Sequence, residues 1–203
     1  MVFKCVMMRF RTFALIITIS VLMISCQKED ILVQNNSFTY DGHEYNLSDG
    51  MVVRNGNSNK PHQLDFIVYS GFNVYRSGNQ VDSIIGTGNA IEFPVIYSPS
   101  ATELTPGTYT FDQLAKSAYT FSAGYLALNY CNDKASGKVS FFTAGKLEVV
   151  KNGDFFEFSF DLTDEANKRV QGFYRGPANL VQMQLKSIKS ASLNNGRAKG
   201  FLN

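Results

Sequence analysis

The sequence lacks the residue patterns on which catalytic and metal sites are usually built. It has no tryptophan and only two histidines, and neither His43 nor His62 lies in a metal-binding spacing such as H-E-x-x-H. A G-x-S-x-G serine motif is also missing, since the nearest stretch, FSAGY at 121–125, lacks the first glycine. The sequence therefore predicts no catalytic residue, no metal site and no cofactor.

Long hydrophobic runs are scarce as well, and the clearest one lies near the N-terminus. The run FALIITISVLMI covers residues 13–24 and follows Lys4, Arg9 and Arg11. A membrane-spanning helix needs roughly 20 apolar residues, so this run is too short for one. A positively charged segment followed by a short apolar run is typical of an export signal.

The apolar run ends at Ser25-Cys26, and a small residue before cysteine resembles the lipobox of bacterial lipoprotein signal peptides. This resemblance implies that residues 1–25 are removed and that Cys26 becomes the first mature residue, with lipid such as palmitate on it. Met23 departs from the pattern, in which leucine is usual, but it is an apolar residue of similar volume. The expected partner is thus a membrane, reached through the lipid anchor.

The residues after the cysteine, Lys28, Glu29 and Asp30, resemble the lipoprotein export signal of the Bacteroidota. The resemblance implies an outer-membrane lipoprotein that faces the outside of the cell. An ordinary charged tether on the periplasmic face is the second interpretation.

Loss of the leader changes the charge and the cysteine content of the chain. It leaves 16 basic and 17 acidic side chains, a formal net charge of −1, which favours no nucleic-acid partner. Cys131 becomes the only thiol, so a disulfide within one mature chain is excluded. We expect Cys131 to be a small buried apolar residue.

The rest of the chain divides into a tether, residues 26–37, and a single domain, residues 38–203. Strand-like runs bounded by Gly, Asn, Asp and Pro recur in this domain, while helical periodicity is rare. They predict an all-β fold, either an antiparallel sandwich or a partly closed barrel with Greek-key or meander hairpins. At most one short helix is expected, at residues 111–119.

Turn signals give more detailed predictions. Asp41-Gly42 and Asn152-Gly153 predict hairpins, the second with a type I′ turn, and Phe156, Phe158, Phe160 and Leu162 should share one face of the following strand. Pro94 predicts an edge strand or a bulge, and GTGN at 86–89 predicts a hairpin connection. The C-terminal strands, up to LVQMQLK at 180–186, should form an antiparallel meander.

Two segments resemble a broad group of Bacteroidota surface lipoproteins: PGTYTF at 106–111, and residues 145–176 with their Asn-Gly turn, FDLTD strand and G-x-Y-x-G strand. Turns and core positions make up this resemblance. It implies a location at the cell surface and a β fold, but it implies no activity.

Acidic and tyrosine side chains are the remaining candidates for a site. Asp161, Asp164 and Glu165 form the densest acidic cluster, for which we favour solvated turn residues over a metal or catalytic site. Several tyrosines could rim a sugar-stacking groove, but most should be half-buried strand residues whose hydroxyls reach water. They are Tyr40, Tyr45, Tyr69, Tyr75, Tyr97, Tyr119, Tyr125, Tyr130 and Tyr174.

Two functions remain open. The favoured one is a non-enzymatic binding or accessory protein at the cell surface, with a glycan or a surface protein as its ligand. The alternative is a small surface polysaccharide hydrolase that uses carboxylates the sequence does not identify.

The stretch Asp82-Ser83-Ile84 resembles the Bacteroidota O-glycosylation sequence, which makes Ser83 a candidate glycosylation site on an expected surface loop.

We expect the substitution Cys26→Ala to abolish incorporation of radiolabelled palmitate and to release the protein from the membrane fraction. The reason is that the thioether-linked lipid is the predicted anchor. Labelling and cell fractionation of wild type and variant check this, and a variant that still sediments with the outer membrane would contradict it.

Overall fold

The computed structural model describes residues 34–55, 63–100, 103–114 and 116–183, which form a nearly all-β fold as predicted. In these ranges no helix is long and apolar enough to cross a membrane, and the one helix is a 3₁₀ turn at Asn132–Lys134. The strands are β1 (Ser37–Tyr40), β2 (His43–Asn46), β3 (Asp49–Asn55), β4 (Gln63–Ser77), β5 (Gln80–Tyr97), β6 (Gly107–Phe111), β7 (Thr120–Cys131), β8 (Ser136–Asn152), β9 (Phe155–Asp164), β10 (Arg169–Gly176) and β11 (Asn179–Met183).

All eleven strands belong to one sheet, in the order β11-β3-β4-β5-β7-β6-β8-β9-β10-β1-β2. Most neighbours are antiparallel, but β6 runs parallel to part of β7, and β11 runs parallel to β3 and to the start of β5. The predicted C-terminal meander therefore holds for β8, β9 and β10 only. Its extension to the last strand is wrong, because β11 crosses to the other end of the sheet.

Both predicted hairpins are present, and their turns differ. Asp41 and Gly42 both have positive φ, 53° and 76°, which is the type I′ pattern. In the other hairpin Asn152 pairs with Phe155, so Gly153 and Asp154 form the loop. Only Gly153 has positive φ there, 62°, which matches a type II′ turn. The hairpin is therefore predicted correctly, but its turn residues lie one position later in the chain than predicted, and the predicted type I′ turn is wrong.

The larger core lies on one face of the sheet and contains the predicted β9 side chains. Phe158, Phe160 and Leu162 are buried, and Phe156 packs against them. The ring of Phe158 stacks on that of Phe66 in β4, with 4.0 Å between centroids. These strands are five positions apart in the sheet, which in a flat sheet would separate them by about 24 Å. The sheet must therefore curl until β4 and β9 face each other.

A second, smaller core covers the opposite face of the strands β3, β4, β5 and β7. It forms because the long β4–β5 hairpin bends, at Gly71 in β4 and at Gly86 and Gly88 in β5, where the register shifts. A Cβ atom at Gly88 would lie 2.0 Å from the carbonyl oxygen of Ser70. The GTGN stretch is thus a bend inside strand β5, and its prediction as a hairpin connection is wrong.

Two further local predictions have different outcomes. Pro94 lies in β5, an internal strand, and the register with β7 shifts between Glu92 and Val95, so the bulge alternative is correct and the edge alternative is wrong. The helix predicted at residues 111–119 is absent from 111–114 and 116–119, where Phe111 ends β6 and bends and turns follow. Phe111 packs against the larger core, whereas Leu114 is exposed.

The folded unit includes residues just before the predicted domain boundary. The side-chain amide of Asn36 donates to the carbonyl oxygen of Arg175 over 3.0 Å, and its oxygen accepts the Arg175 N–H over 2.8 Å. Ser37 pairs with Phe173 and Asn46 as the first residue of β1. The folded unit therefore includes Asn36 and Ser37, which precede the predicted domain boundary at residue 38.

We expect Gly88→Ala to lower the free energy of unfolding by about 3 kcal/mol, because the new methyl group would force β4 and β5 apart at the bend. Gly78→Ala is the matched control. Gly78 has a φ of 63°, but no atom lies within 4 Å of the position that its new methyl group would take, so the loss should be about 1 kcal/mol. Urea denaturation of both variants measures the difference, and equal losses would contradict the steric explanation.

Candidate binding surfaces

The residues predicted for lipidation and export, Cys26, Lys28, Glu29 and Asp30, lie outside the described residues, and their roles stay predictions. Ser83 is exposed but lies in strand β5, directly opposite Tyr75 in β4, so its expected position on a loop is wrong. Glycosylation at Ser83 remains a prediction, which its exposure permits.

The acidic residues that are close together in the sequence lie apart in the structure, because side chains along β9 alternate between the two faces of the sheet. Asp164 is fully buried and its Oδ2 accepts hydrogen bonds from the hydroxyls of Tyr40 and Ser140, each over 2.7 Å. Its Oδ1 accepts the backbone N–H groups of Ala166 and Lys168 over 2.9 and 2.8 Å. Burial opposes the charge, yet these hydrogen bonds hold the pKa of Asp164 below its ordinary value. The predicted solvated position is wrong for Asp164, which orders the β9–β10 turn.

Asp161 lies on the outer face and is held by an arginine. Its two carboxylate oxygens accept from Nε and Nη2 of Arg169 over 2.8 and 2.6 Å. The hydrogen bond from Arg169 also lowers the pKa of Asp161. Glu165 belongs to the turn, where its N–H donates to the carbonyl oxygen of Phe141 over 2.8 Å. The three acids therefore do not form one site.

Metal ligands and nucleophiles do not converge in the part of the chain that the structure describes. No group of three His, Cys, Asp or Glu side chains there could hold a metal ion. Nδ1 of His43 lies 2.9 Å from the carbonyl oxygen of Asp41 in an exposed turn, and His62 is outside the described ranges. Cys131, a free thiol, is half-buried at the end of β7.

The first candidate surface, here called the polar face, consists of the outward side chains of β1, β2, β6, β8, β9 and β10. Alternation along each strand places apolar residues in the core and polar residues outside, and the register aligns them in rows such as Lys146, Asp161, Gln171 and Thr39. A shallow depression of about 590 Å³ lies over this face. Its outward side chains are Ser37, Thr39, Glu44, Thr108, Lys146, Glu148, Ser159, Asp161, Gln171 and Phe173.

Two carboxylates on the polar face allow a direct test of hydrolase geometry. Glu148 pairs with Ser159, so Glu148 and Asp161 are diagonal neighbours on adjacent strands, a relation that places residues about 7–8 Å apart. Paired glycosidase carboxyl groups lie about 5–9 Å apart, but one of them must be an acid with a raised pKa. Asp161 has a lowered pKa and both oxygens bound to Arg169. It does not fit the role of general acid.

The second candidate surface, the Tyr75 groove, forms where β3 ends and β4 continues. Pairing of these strands begins at Asp49 and Tyr69, whereas β4 extends to Ser77. Beyond Tyr69 no other described strand pairs with that side of β4, and the step leaves a groove of about 770 Å³. It is lined by Ser48, Asp49, Tyr69, Phe72, Asn73, Val74, Tyr75 and Arg76.

A partly buried hydrogen bond fixes the base of the Tyr75 groove. The Tyr69 hydroxyl donates to Oδ2 of Asp49 over 2.9 Å, and Oδ1 of Asp49 accepts the N–H of Gly50 over 2.8 Å. Burial and the neighbouring Asp49 carboxylate raise the pKa of Tyr69 well above its usual range. Tyr69 therefore stays protonated at neutral pH and orients the Asp49 carboxylate.

The outer wall of the groove carries an exposed aromatic ring. Phe72 and Val74 belong to the second core, and alternation turns Asn73 and Tyr75 outward. Tyr75 is 52% exposed, the largest exposed fraction among the tyrosines of the described chain. Arg76 is half-buried beside Tyr69, with which it interacts.

Most of the other tyrosines do not have the positions predicted for them. The hydroxyls of buried Tyr40 and Tyr125 donate to the carboxylates of Asp164 and Glu92, and burial raises the pKa of Tyr174 to about 12. The expectation that most of these tyrosines are half-buried is therefore wrong. The buried tyrosines among those named in the sequence are Tyr40, Tyr69, Tyr97, Tyr125, Tyr130 and Tyr174, while Tyr45 is half-buried and Tyr75 and Tyr119 are exposed.

Sequence reasoning identifies Tyr69 and Tyr75 but misses their groove partners. Asp49 and Arg76 are 27 positions apart, and only the β3–β4 pairing brings them to one place. The alternation of Phe72, Asn73, Val74 and Tyr75 is a local signal for an outward-facing tyrosine.

No family model, no curated protein and no solved structure matches the chain in the comparisons with known proteins.

We expect Asp164→Asn to lower the stability at pH 7 by about 2–3 kcal/mol, since the hydrogen bonds it disrupts are made to a charged group. The folded-state pKa of Asp164 is depressed, so its stabilisation is present above the unfolded pKa, 3.8, and is lost as pH falls through the folded value. The difference in free energy of unfolding between the wild type and Asp164→Asn should therefore become smaller from pH 6 to pH 2. Urea denaturation across this range measures it.

Tyr40→Phe is the matched control, because it removes one donor and keeps the carboxylate. Tyr40→Phe should lower the free energy of unfolding at pH 7 by less than Asp164→Asn does. Its stability should still fall as the pH is lowered, because the Asp164 carboxylate is still present. A gap between wild type and Asp164→Asn that stays constant with pH would contradict the assignment.

Proposed function

We propose that the protein is a lipid-anchored binding or accessory protein of the bacterial outer membrane, without enzymatic activity, that faces the outside of the cell. This location is supported by the resemblance of the N-terminal residues to the signals of Bacteroidota lipoproteins, namely the predicted anchor at Cys26 and the predicted export residues Lys28, Glu29 and Asp30. The periplasmic face is the second choice. The ligand is a glycan or another surface protein.

The Tyr75 groove is the observation that carries the binding function. It places an exposed aromatic ring beside a carboxylate, an amide and a guanidinium group. A concave surface that combines apolar side chains with a few convergent hydrogen-bonding groups fits the general pattern of a ligand site. The polar face offers a second, flatter surface with serine, threonine and glutamine side chains.

Hydrolysis of surface polysaccharide is the alternative function, and the diagonal pair Glu148 and Asp161 is its best support. The bidentate bond from Arg169 weighs against it. That bond holds Asp161 as a charged group, which cannot be the general acid, and it engages both oxygens with which Asp161 would act as base or nucleophile. We therefore favour binding over catalysis.

We expect the full-length lipoprotein, purified in a detergent without sugar headgroups, to bind a defined class of glycan on an array, or to form one specific contact when intact cells are treated with an impermeant cross-linker. Triple replacement of Lys28, Glu29 and Asp30 by alanine is the control. It should keep the lipid and the array binding but lose the contact at the surface.

Two results would contradict the proposed function. One is release of new reducing ends from a bound glycan by the wild type, abolished by Glu148→Gln, which would make the protein a hydrolase. The other is the absence of both glycan binding and any cross-link that depends on the export residues.

A further inference from the structure

We infer that the Tyr75 groove binds an uncharged pyranose unit of a polysaccharide or glycoconjugate, with the sugar ring lying on Tyr75. This rests on the proposed function as a binding protein, and it deepens that function by naming the ligand class and the site.

The exposed position of Tyr75 is the first observation. Its neighbours Phe72 and Val74 stabilise the second core, whereas the Tyr75 ring, 52% exposed, lies on the outer side of the strand. A tyrosine ring offers a flat apolar surface with a polar edge. The C–H face of a pyranose matches such a surface, because it is the apolar side of an otherwise hydroxylated molecule.

Unused hydrogen-bonding capacity next to the ring is the second observation. An ionised carboxylate has about four acceptor positions, and Asp49 uses two of them for Tyr69 and Gly50. The exposed Asn73 amide both donates and accepts, and the half-buried Arg76 guanidinium only donates. Together they can satisfy hydroxyl groups on neighbouring carbons, each of which donates and accepts.

The charge of the groove selects the class of sugar. Among its lining residues, Asp49 and Arg76 are the two whose side chains are charged at neutral pH, and their charges are opposite. Because the two charges are opposite, neither an acidic sugar nor an amino sugar with a free ammonium group gains a net electrostatic attraction to the groove. Balanced charge with abundant hydrogen-bonding groups therefore favours an uncharged ligand.

The groove is held in shape before any ligand arrives. The distal half of β4 pairs with β5 from Phe72 to Ser77, and the Tyr69 hydroxyl fixes the Asp49 carboxylate through a partly buried hydrogen bond. A site that does not need to be ordered on binding loses less affinity to conformational entropy. This offsets the small contact area of a single sugar on an open surface.

The test uses the full-length lipoprotein in lauryldimethylamine oxide and a microplate coated with neutral polysaccharides (mannan, galactan, arabinoxylan and β-glucan) or acidic ones (alginate and polygalacturonate). We expect saturable binding to at least one neutral polysaccharide. Tyr75→Ala should weaken this binding at least tenfold, whereas Tyr75→Phe, which keeps the ring, should stay within about threefold of the wild type.

Phe155→Ala is the matched control, because Phe155 is 48% exposed but lies outside the groove, and it should bind as the wild type does. Asn73→Ala is a second groove variant at an exposed position and should weaken binding about fivefold. Thermal unfolding confirms that each variant is folded; if Tyr75→Ala is not, Asn73→Ala and Tyr75→Phe decide the outcome.

The inference would be overturned by binding to acidic polysaccharides only, by binding to none of the six, or by equal loss of binding in the Phe155 and Tyr75 variants. A neutral polysaccharide that still binds Tyr75→Ala and Asn73→Ala as tightly as it binds the wild type would also overturn it, while leaving the proposed binding function intact. Failure of the site and failure of the function are thereby separated.

Discussion

The stacking of Phe66 on Phe158 is the interaction on which the shape of the sheet depends. It joins strands that are five positions apart, and it is extended on either side by Phe93 and Tyr174, whose rings lie 6.0 and 6.2 Å from this pair. Each buried aromatic side chain contributes roughly 2–3 kcal/mol through the hydrophobic effect. Because this interior is filled with rings, the hydrogen-bonding side chains that could recognise a ligand are confined to the outer surface and to the ends of strands.

The bend of the β4–β5 hairpin connects this packing to the candidate site. Gly88 lets the Ser70 carbonyl group approach the neighbouring strand, and the register shift that follows turns Phe72 and Val74 into the second core. The same shift determines which residues of β4 point outward. A change at the bend therefore alters both stability and the position of Tyr75, although Gly88 itself is not part of the groove lining.

Local patterns in the sequence predict the local structure of this protein well. Alternation from Phe156 to Leu162 gives the core face of β9, and Asp41-Gly42 gives its hairpin, because both depend on residues within one or two strands. Features that depend on distant partners are not predictable in this way. In the sequence Asp164 resembles a solvated turn residue. In the structure the hydroxyls of Tyr40 and Ser140, from two other strands, donate hydrogen bonds to it. The parallel pairing of β11 with β3 joins residues far apart in the sequence, and the contact of Asp49 with Tyr69 depends on the register of β3 and β4.

The charged side chains of the two candidate surfaces bear on how the proposed binding function would distinguish ligands. On the polar face Asp161 is neutralised by Arg169 and Glu157 lies 3.4 Å from Arg175, and in the Tyr75 groove Asp49 and Arg76 balance. Exposed pairs of this kind contribute little to stability, and the two charges of each pair largely cancel one another's field at a distance. Recognition then has to come from short-range contacts, namely hydrogen bonds to fixed groups and contact with an aromatic ring. Such contacts distinguish uncharged sugars by the orientation of their hydroxyl groups, since a misdirected hydroxyl leaves a polar partner unsatisfied.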